Sequence, residues 1–132
     1  MNWVMVVMLL AVLEFLVFGF LVGSARAKYK VAAPAITGHP DFERCFRVQQ
    51  NTLEQLVVFL PACWFFAGTV SARWAVILGL IFIVGRAVYA FGYMKEAQKR
   101  GPGFGLSFLP NAALLIGALI GAVKAALTAG GL

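Results

Sequence analysis

Four long apolar segments, separated by shorter polar ones, run along the 132-residue chain. The first is about one bilayer thick, and the last is rich in Ala and Gly, as closely packed membrane helices are. The second has no Gly or Pro before Pro61, so we predict one long helix whose second half is apolar. The predicted helices cover approximately residues 2–23, 42–70, 73–96 and 105–128. The pattern predicts an all-α integral membrane protein, with residues 1–132 forming a single four-helix membrane domain.

The composition supports lipid as the main solvent. The chain is 62% hydrophobic and 12% charged, whereas soluble domains carry about 25% charged residues. A cleaved signal peptide is the alternative for the first segment, because Ala25-Arg26-Ala27 has the form of a cleavage site. No positive charge precedes that segment, however, and it is too long for the apolar part of a signal peptide. We therefore interpret it as a membrane helix.

The positive charges predict the orientation in the membrane. The formal net charge is +6, and most cations lie in two polar connections, residues 24–41 and 94–105. These connections fall on the same side of a four-helix bundle, while the middle connection carries only Arg73. Since cytoplasmic loops are rich in Lys and Arg, we expect both long basic loops in the cytoplasm and both termini on the opposite side. No basic run is interleaved with aromatic residues, so we expect no nucleic-acid partner.

Two of the predicted helices place polar groups on one face. The second carries a cation, an amide and a carboxylate at positions i, i+4 and i+7, namely Arg47, Asn51 and Glu54. The third carries a guanidinium and two phenols at i, i+3 and i+7, namely Arg86, Tyr89 and Tyr93. Each residue alone is compatible with a structural role in holding the bundle together. Two such faces at similar depth favour a binding site.

The charge balance of these faces indicates the kind of ligand. With Arg26 and Arg100 at the rim, four arginines surround Glu54. A buried charge without a partner is costly, so the cluster predicts a small anion that also carries an amine. Arginine binds carboxylates through two parallel hydrogen bonds, a glutamate suits an ammonium group, and amide side chains suit peptide bonds. Glutathione has all these groups, although composition alone does not select it over other peptides.

The other candidate residues give weaker signals. Cys45 and Cys63 would lie roughly 27 Å apart on one helix, so we expect two free thiols. His39 has no metal-ligand companion and lies between Gly and Pro, so we interpret it as a turn residue and expect no metal. Glu14, in the middle of the first helix, costs about 2.5–3.5 kcal/mol on insertion. It is either a buried structural hydrogen-bonding group or a proton or cation site.

Three motifs in order resemble the MAPEG superfamily, the membrane-associated proteins of eicosanoid and glutathione metabolism. FERCFRVQQNTLE contains the R-x-x-x-N-x-x-E core of its signature, and the preceding SARAKYKVAAPAITGHPDFER is similar to the first loop of the leukotriene-synthase branch. R-x-x-Y-x-x-G-Y, formed by Arg86, Tyr89, Gly92 and Tyr93, and AQKR, ending at Arg100, are similar to later motifs of that branch. The resemblance covers nearly the whole chain.

The resemblance implies a membrane-bound glutathione transferase of the microsomal type, assembled as a homotrimer with glutathione between adjacent subunits near the cytoplasmic side. The implied glutathione contacts are Arg26, Arg47, Gln49, Asn51, Glu54, Arg86, Tyr89 and Tyr93. Arg100 matches the arginine that activates the thiol, and it is the implied catalytic residue. The second substrate would be a small hydrophobic electrophile from the bilayer, or a lipid hydroperoxide if the thiolate also reduces peroxides.

The chain also departs from the leukotriene synthases. Gln55 stands where they have a tyrosine that would be a glutathione contact. Ala27 replaces an arginine, and this replacement argues against the same lipid substrate. Gly101-Pro102-Gly103 follows Arg100 and predicts a mobile loop there. The sequence does not distinguish detoxification from biosynthesis. Two other functions stay open: a small proton-coupled multidrug transporter that uses Glu14, and a lipid-binding relative without enzymatic activity.

Overall fold

The structure, a computed structural model, describes residues 1–130 apart from the side chain of residue 97. It consists of four long helices, α1 (Asn2–Tyr29), α2 (Pro40–Thr69), α3 (Ala72–Lys95) and α4 (Gly101–Thr128), with a short 3-10 helix (Ala97–Arg100) before α4. The described part of the chain contains no strand. Each long helix is long and apolar enough to cross a membrane, so the predicted all-α membrane fold is confirmed. Residues 131–132 of the predicted domain lie outside the described residues.

The first helix is longer than predicted. It continues through Tyr29 instead of ending near residue 23, because no Gly or Pro follows Gly23 before Pro34. It ends at Lys30, whose left-handed backbone (φ 57°, ψ 44°) terminates the helix. The Val31 N–H then donates to the Arg26 carbonyl at 3.0 Å. The first connection is therefore shorter than the predicted basic loop.

The fourth helix begins earlier than predicted. The prediction of a mobile loop at Gly101-Pro102-Gly103 was wrong, because these residues form the first turn of α4. Proline suits this position, where its missing N–H would have no partner inside the helix. Arg100 therefore lies at a junction between two helical segments, which limits the positions that it can take.

Side-chain caps stand at the starts of α2 and α3. The Asp41 N–H donates to Nδ1 of His39 at 3.1 Å at the start of α2, and the Trp74 N–H donates to Oγ of Ser71 at 3.2 Å at the start of α3. The His39 ring also stacks on Tyr29, with ring centroids 4.1 Å apart. The turn role predicted for His39 thus extends to fixing the angle between α1 and α2.

The core runs along the inner faces of the helices. On α1 the buried residues are spaced three, four or seven positions apart, as on one face of a helix, at Val4, Val7, Ala11, Phe18, Val22 and Ala25. Val4, Val7 and Ala11 belong to an apolar cluster in which the ring of Phe59 on α2 stacks on that of Phe82 on α3, with centroids 4.3 Å apart. Large apolar side chains such as Trp3, Leu9 and Phe20 cover the outer surface of α1. An apolar core inside an apolar surface is what a bundle in lipid requires.

Helices α3 and α4 approach each other closely through glycine. A Cβ added at Gly85 would lie 2.6 Å from the Leu106 carbonyl carbon and from the Ser107 nitrogen. A Cβ added at Gly103 would overlap the backbone of Tyr89. These glycines bring the start of α4 against the part of α3 that carries Arg86 and Tyr89.

We predict that Gly103→Ala destabilises the protein. The added methyl group would force the helices apart, which typically costs about 1–3 kcal/mol and exceeds the gain of about 1 kcal/mol in helix propensity. Gly105→Ala is the matched control, because nothing lies within 4 Å of a Cβ added there. Thermal unfolding in detergent should show a lower midpoint for Gly103→Ala only, and equal midpoints for both variants would contradict the close approach.

Candidate active site

A cavity of about 410 Å³, here called the polar cavity, lies where α2, α3 and the start of α4 meet. It lies toward the end of the bundle that holds the α1–α2 and α3–α4 connections. The residues that line it are Arg47, Asn51, Glu54, Gln55, Arg86, Tyr89, Tyr93, Arg100 and Phe104. Its volume is within the range of small-molecule sites, about 300–1,000 Å³.

The cavity brings together most of the residues that the sequence proposed. Those that line it are Arg47, Asn51, Glu54, Arg86, Tyr89, Tyr93 and Arg100. Arg26 and Gln49 do not line it. The i, i+4, i+7 spacing on α2 and the i, i+3, i+7 spacing on α3 thus place both polar faces on the same hollow.

Asn51 and Tyr89 link the two polar faces. The side-chain N–H of Asn51 donates to the Tyr89 hydroxyl oxygen at 2.5 Å, which joins α2 to α3. Because the amide nitrogen is engaged in this bond, the carbonyl oxygen of Asn51 is available as an acceptor for a ligand N–H. Tyr89 is buried, and its ring lies 4.1 Å from the Arg86 guanidinium carbon.

Arg86 is buried and holds three helices together. Only 1% of its surface is exposed. Its Nε and Nη2 donate to Oγ1 of Thr52 on α2 at 3.3 and 2.8 Å, and its Nη1 donates to Oγ of Ser107 on α4 at 3.3 Å. No carboxylate of the described chain lies within ion-pair distance of Arg86. Arg86 therefore supplies positive charge at the wall of the cavity without a paired acid.

Arg100 and Tyr93 form another part of the wall of the polar cavity. The guanidinium carbon of Arg100 lies 5.5 Å from the centre of the Tyr93 ring, within the range of a cation–π contact. Tyr93 in turn packs at a tilt on Tyr89, with centroids 5.6 Å apart. The neighbouring Lys99 forms an exposed pair with Glu96 at 3.6 Å and does not line the cavity.

The cavity keeps an excess of positive charge. Three arginines line it, against the single carboxylate of Glu54. Arg47 and Glu54 are both exposed, and they form no ion pair with each other in the described structure. A second cavity of about 340 Å³ shares Arg47, Asn51 and Glu54 with the first. Arg47 and Glu54 thus stand at an accessible boundary, where they are available to a ligand.

Arg26 and Gln49 lie on the α1 side of the bundle. Arg26 donates to the Ala35 carbonyl at 2.7 Å and lies over the Phe42 ring at 4.8 Å. The side chain of Gln49 lies against Gly19, where a Cβ would come within 3.0 Å of its Nε2. Neither residue is among those that line the polar cavity of its own chain.

Glu14 lies on the inner face of α1, between the buried residues Ala11 and Phe18. It does not line the polar cavity. Its Oε1 is buried and has no hydrogen-bond partner among the described residues, although the carboxyl group is close enough to Arg86 to interact with it electrostatically. A structural hydrogen-bonding role for Glu14 would need a partner for this oxygen, which the described residues do not supply, and the proton or cation role stays a prediction.

Several side chains at or next to the cavity were not among the candidates identified from the sequence. Thr52 and Ser107 hold Arg86, Gln55 and Phe104 line the cavity, and Asn111 bonds Gln55. Ser107 and Asn111 stand at i and i+4 in an apolar helix, so they share a face. That pairing of polar residues inside a membrane segment was the signal available in the sequence.

A model of the MAPEG family matches residues 4–120. The chain belongs to the MAPEG family. The resemblance found in the motifs is thereby confirmed, and the chain is a multi-pass integral membrane protein of that family.

Similar proteins agree with this membership. The Synechocystis protein named "Uncharacterized protein sll1147" is 48% identical over 118 residues, which cover 89% of this chain and 86% of that protein. Human microsomal glutathione S-transferase 2 is 47% identical over 103 residues, covering 77% of this chain and 70% of its own length. Bovine leukotriene C4 synthase is 37% identical over 94 residues, covering 71% of this chain and 63% of its own length.

We predict that Thr52→Val destabilises the protein because it removes two hydrogen bonds from the buried Arg86 guanidinium. A buried group left without its partner costs about 1–3 kcal/mol, and more when it is charged. Thr69→Val is the matched control. The hydroxyls of Thr52 and Thr69 each donate to the backbone carbonyl four residues earlier, at 2.8 and 2.7 Å, but Thr69 is exposed and accepts no hydrogen bond from an arginine in the described structure. Thermal midpoints that fall equally in the two variants would contradict the role of Thr52.

Proposed function

We propose that the protein is a membrane-bound glutathione transferase, which binds glutathione in the polar cavity and conjugates it to small hydrophobic electrophiles. The observation that carries this proposal is the excess of arginine over acid in one accessible cavity of the bundle. The names of the relatives, microsomal glutathione S-transferase 2 and leukotriene C4 synthase, support the same class of reaction.

The binding step follows from the chemistry of the wall. Arg47 would bind a carboxylate of glutathione, because a guanidinium matches a carboxylate in geometry and charge. Glu54 would bind the ammonium group. The free carbonyl oxygen of Asn51 would accept a peptide N–H, since the amide nitrogen is held by Tyr89. Arg86 would attract the ligand through its charge, because its guanidinium already donates hydrogen bonds to the hydroxyls of Thr52 and Ser107.

The activation step is assigned to Arg100. A free thiol has a pKa of about 8.5, and a neighbouring guanidinium stabilises the thiolate and lowers that value. The proton leaves to water, and the thiolate sulfur then forms a bond to carbon while the electrophile releases its leaving group or opens its ring. Arg100 is positioned by the 3-10 helix and by its contact with Tyr93.

The electrophile would reach the thiolate from the lipid side. An apolar groove of about 350 Å³ lies between α2 and α4, deeper in the bundle than Gln55, and Val58, Pro61 and Leu115 are among its lining residues. A site next to such a groove brings a polar nucleophile and an apolar acceptor together. Reduction of lipid hydroperoxides by the same thiolate stays a prediction.

Assembly as a homotrimer would account for Arg26 and Gln49. Both lie away from the polar cavity of their own chain, on the α1 side. We propose that they reach glutathione bound by the neighbouring subunit. The orientation with both basic connections in the cytoplasm would give the site direct access to cytoplasmic glutathione.

The alternatives have less support. A proton-coupled transporter would depend on Glu14, which lies outside the polar cavity. Efflux that requires Glu14 but no thiol would identify that function. A lipid-binding relative without activity would need no cluster of arginines, and here the arginines of the cavity are present.

We predict that Arg100→Ala lowers turnover with a generic aromatic electrophile about 100-fold, the effect of removing one group that stabilises developing charge. Glutathione affinity should change far less. Stopped-flow absorbance of the thiolate should show a smaller amplitude in the variant. Lys99→Ala, which removes an adjacent cation outside the cavity, is the control and should behave like wild type. Unchanged thiolate formation in Arg100→Ala would remove Arg100 from its assigned role.

Arg47→Ala should instead weaken glutathione binding, by about tenfold or more, because a charge-assisted hydrogen bond to a carboxylate is lost. Isothermal titration with glutathione measures this directly. An Arg47→Ala variant that binds as tightly as wild type would contradict the assignment of the carboxylate.

A further inference from the structure

The side chain of Gln55 is held in one orientation by a residue of α4. Nδ2 of Asn111 donates to Oε1 of Gln55 at 2.9 Å and to the backbone carbonyl of Gln55 at 3.2 Å. A backbone carbonyl can only accept, so the nitrogen end of the Asn111 amide must face Gln55. The same nitrogen then requires the oxygen of the Gln55 amide on its side. The backbone carbonyl of Gln55 therefore determines the orientation of both side-chain amides, that of Asn111 and that of Gln55.

This arrangement leaves Gln55 with only a hydrogen-bond donor, its NH₂ group, to present to the cavity. Gln55 lines the polar cavity, and its oxygen is occupied by Asn111. Its Nε2 donates to no residue of the described chain, and it is not among the buried unpaired atoms. The NH₂ group is therefore accessible, and a ligand meets Gln55 as a hydrogen-bond donor.

The bonds that Asn111 makes to α2 engage only the nitrogen of its side-chain amide. It is 3% exposed, and its Oδ1 is buried with no partner in the part of the chain that is described. A buried acceptor without a partner is destabilising, whereas an apolar residue at this position would avoid that cost. Polar groups kept in a membrane segment at such a cost generally serve a function.

We propose that Asn111 is a positioning residue, which turns the NH₂ of Gln55 toward the polar cavity so that it donates to a carbonyl or carboxylate oxygen of glutathione. This inference rests on the proposed function. Gln55 lies at the deep end of the cavity, next to the apolar groove that begins at Val57 and Val58. There it would set how far the tripeptide enters before the thiol meets the electrophile.

Glutathione titrations of wild type, Gln55→Leu, Gln55→Glu and Asn111→Leu test the proposal. Gln55→Leu and Asn111→Leu should each weaken binding about tenfold. The double variant should bind no more weakly than Gln55→Leu alone, because Asn111 acts through Gln55. Gln55→Glu keeps the shape and the bond from Asn111 but presents an acceptor to the cavity, so it should bind more weakly than Gln55→Leu.

The outcomes separate this inference from the proposed function. Gln98→Leu makes the same chemical change at an exposed site outside the cavity and should bind like wild type. If wild type and the Gln55 variants bind glutathione equally well, the donor role is wrong while the proposed function stands. The same conclusion follows if Gln55→Glu binds glutathione more tightly than Gln55→Leu. If wild type does not bind glutathione, both fail. Additive losses in the double variant would show that Asn111 acts independently of Gln55 and would overturn its role.

Discussion

The bundle depends on one buried guanidinium. Arg86 lies in the core of a membrane domain without a carboxylate within ion-pair distance among the described residues, and it is satisfied by the hydroxyls of Thr52 and Ser107. Because its partners lie on α2 and α4, the charge can be accommodated only where three helices meet. The glycines of α3 and α4 make that meeting possible.

The same charge explains why the cavity suits an anionic ligand. A guanidinium bonded to hydroxyls keeps its positive charge, and Arg47 and Arg100 add to it, while Glu54 is the one acid among the residues that line the described cavity. Because Arg86 is buried, its charge is poorly screened by solvent and stays costly until an anion binds. An anion with its own ammonium group would use Glu54 as well, which is the combination that glutathione offers. The adjacent apolar groove would hold the proposed second substrate on the lipid side.

The sequence predicted the helices and most of the candidate site, for identifiable reasons. Helical periodicity places Arg47, Asn51 and Glu54 on one face, and that requires no tertiary information. The early start of α4 was missed because Pro102 is read as a helix breaker, although proline fits a first turn. Thr52 was missed because a hydroxyl in an apolar helix usually bonds its own backbone. The sequence can show that Asn111 lies on a polar face of its helix, but it does not show which residue of another helix, here Gln55, that face contacts.

The central claim is that the positive charge of the polar cavity binds the carboxylates of glutathione. It is tested most directly by isothermal titration of the reconstituted protein with glutathione and with its diethyl ester, at low and high salt. The account predicts saturable binding of glutathione that weakens as salt screens the arginines, and binding of the ester at least about tenfold weaker. Equal affinity for the two compounds, or no binding of glutathione at any salt concentration, would contradict it.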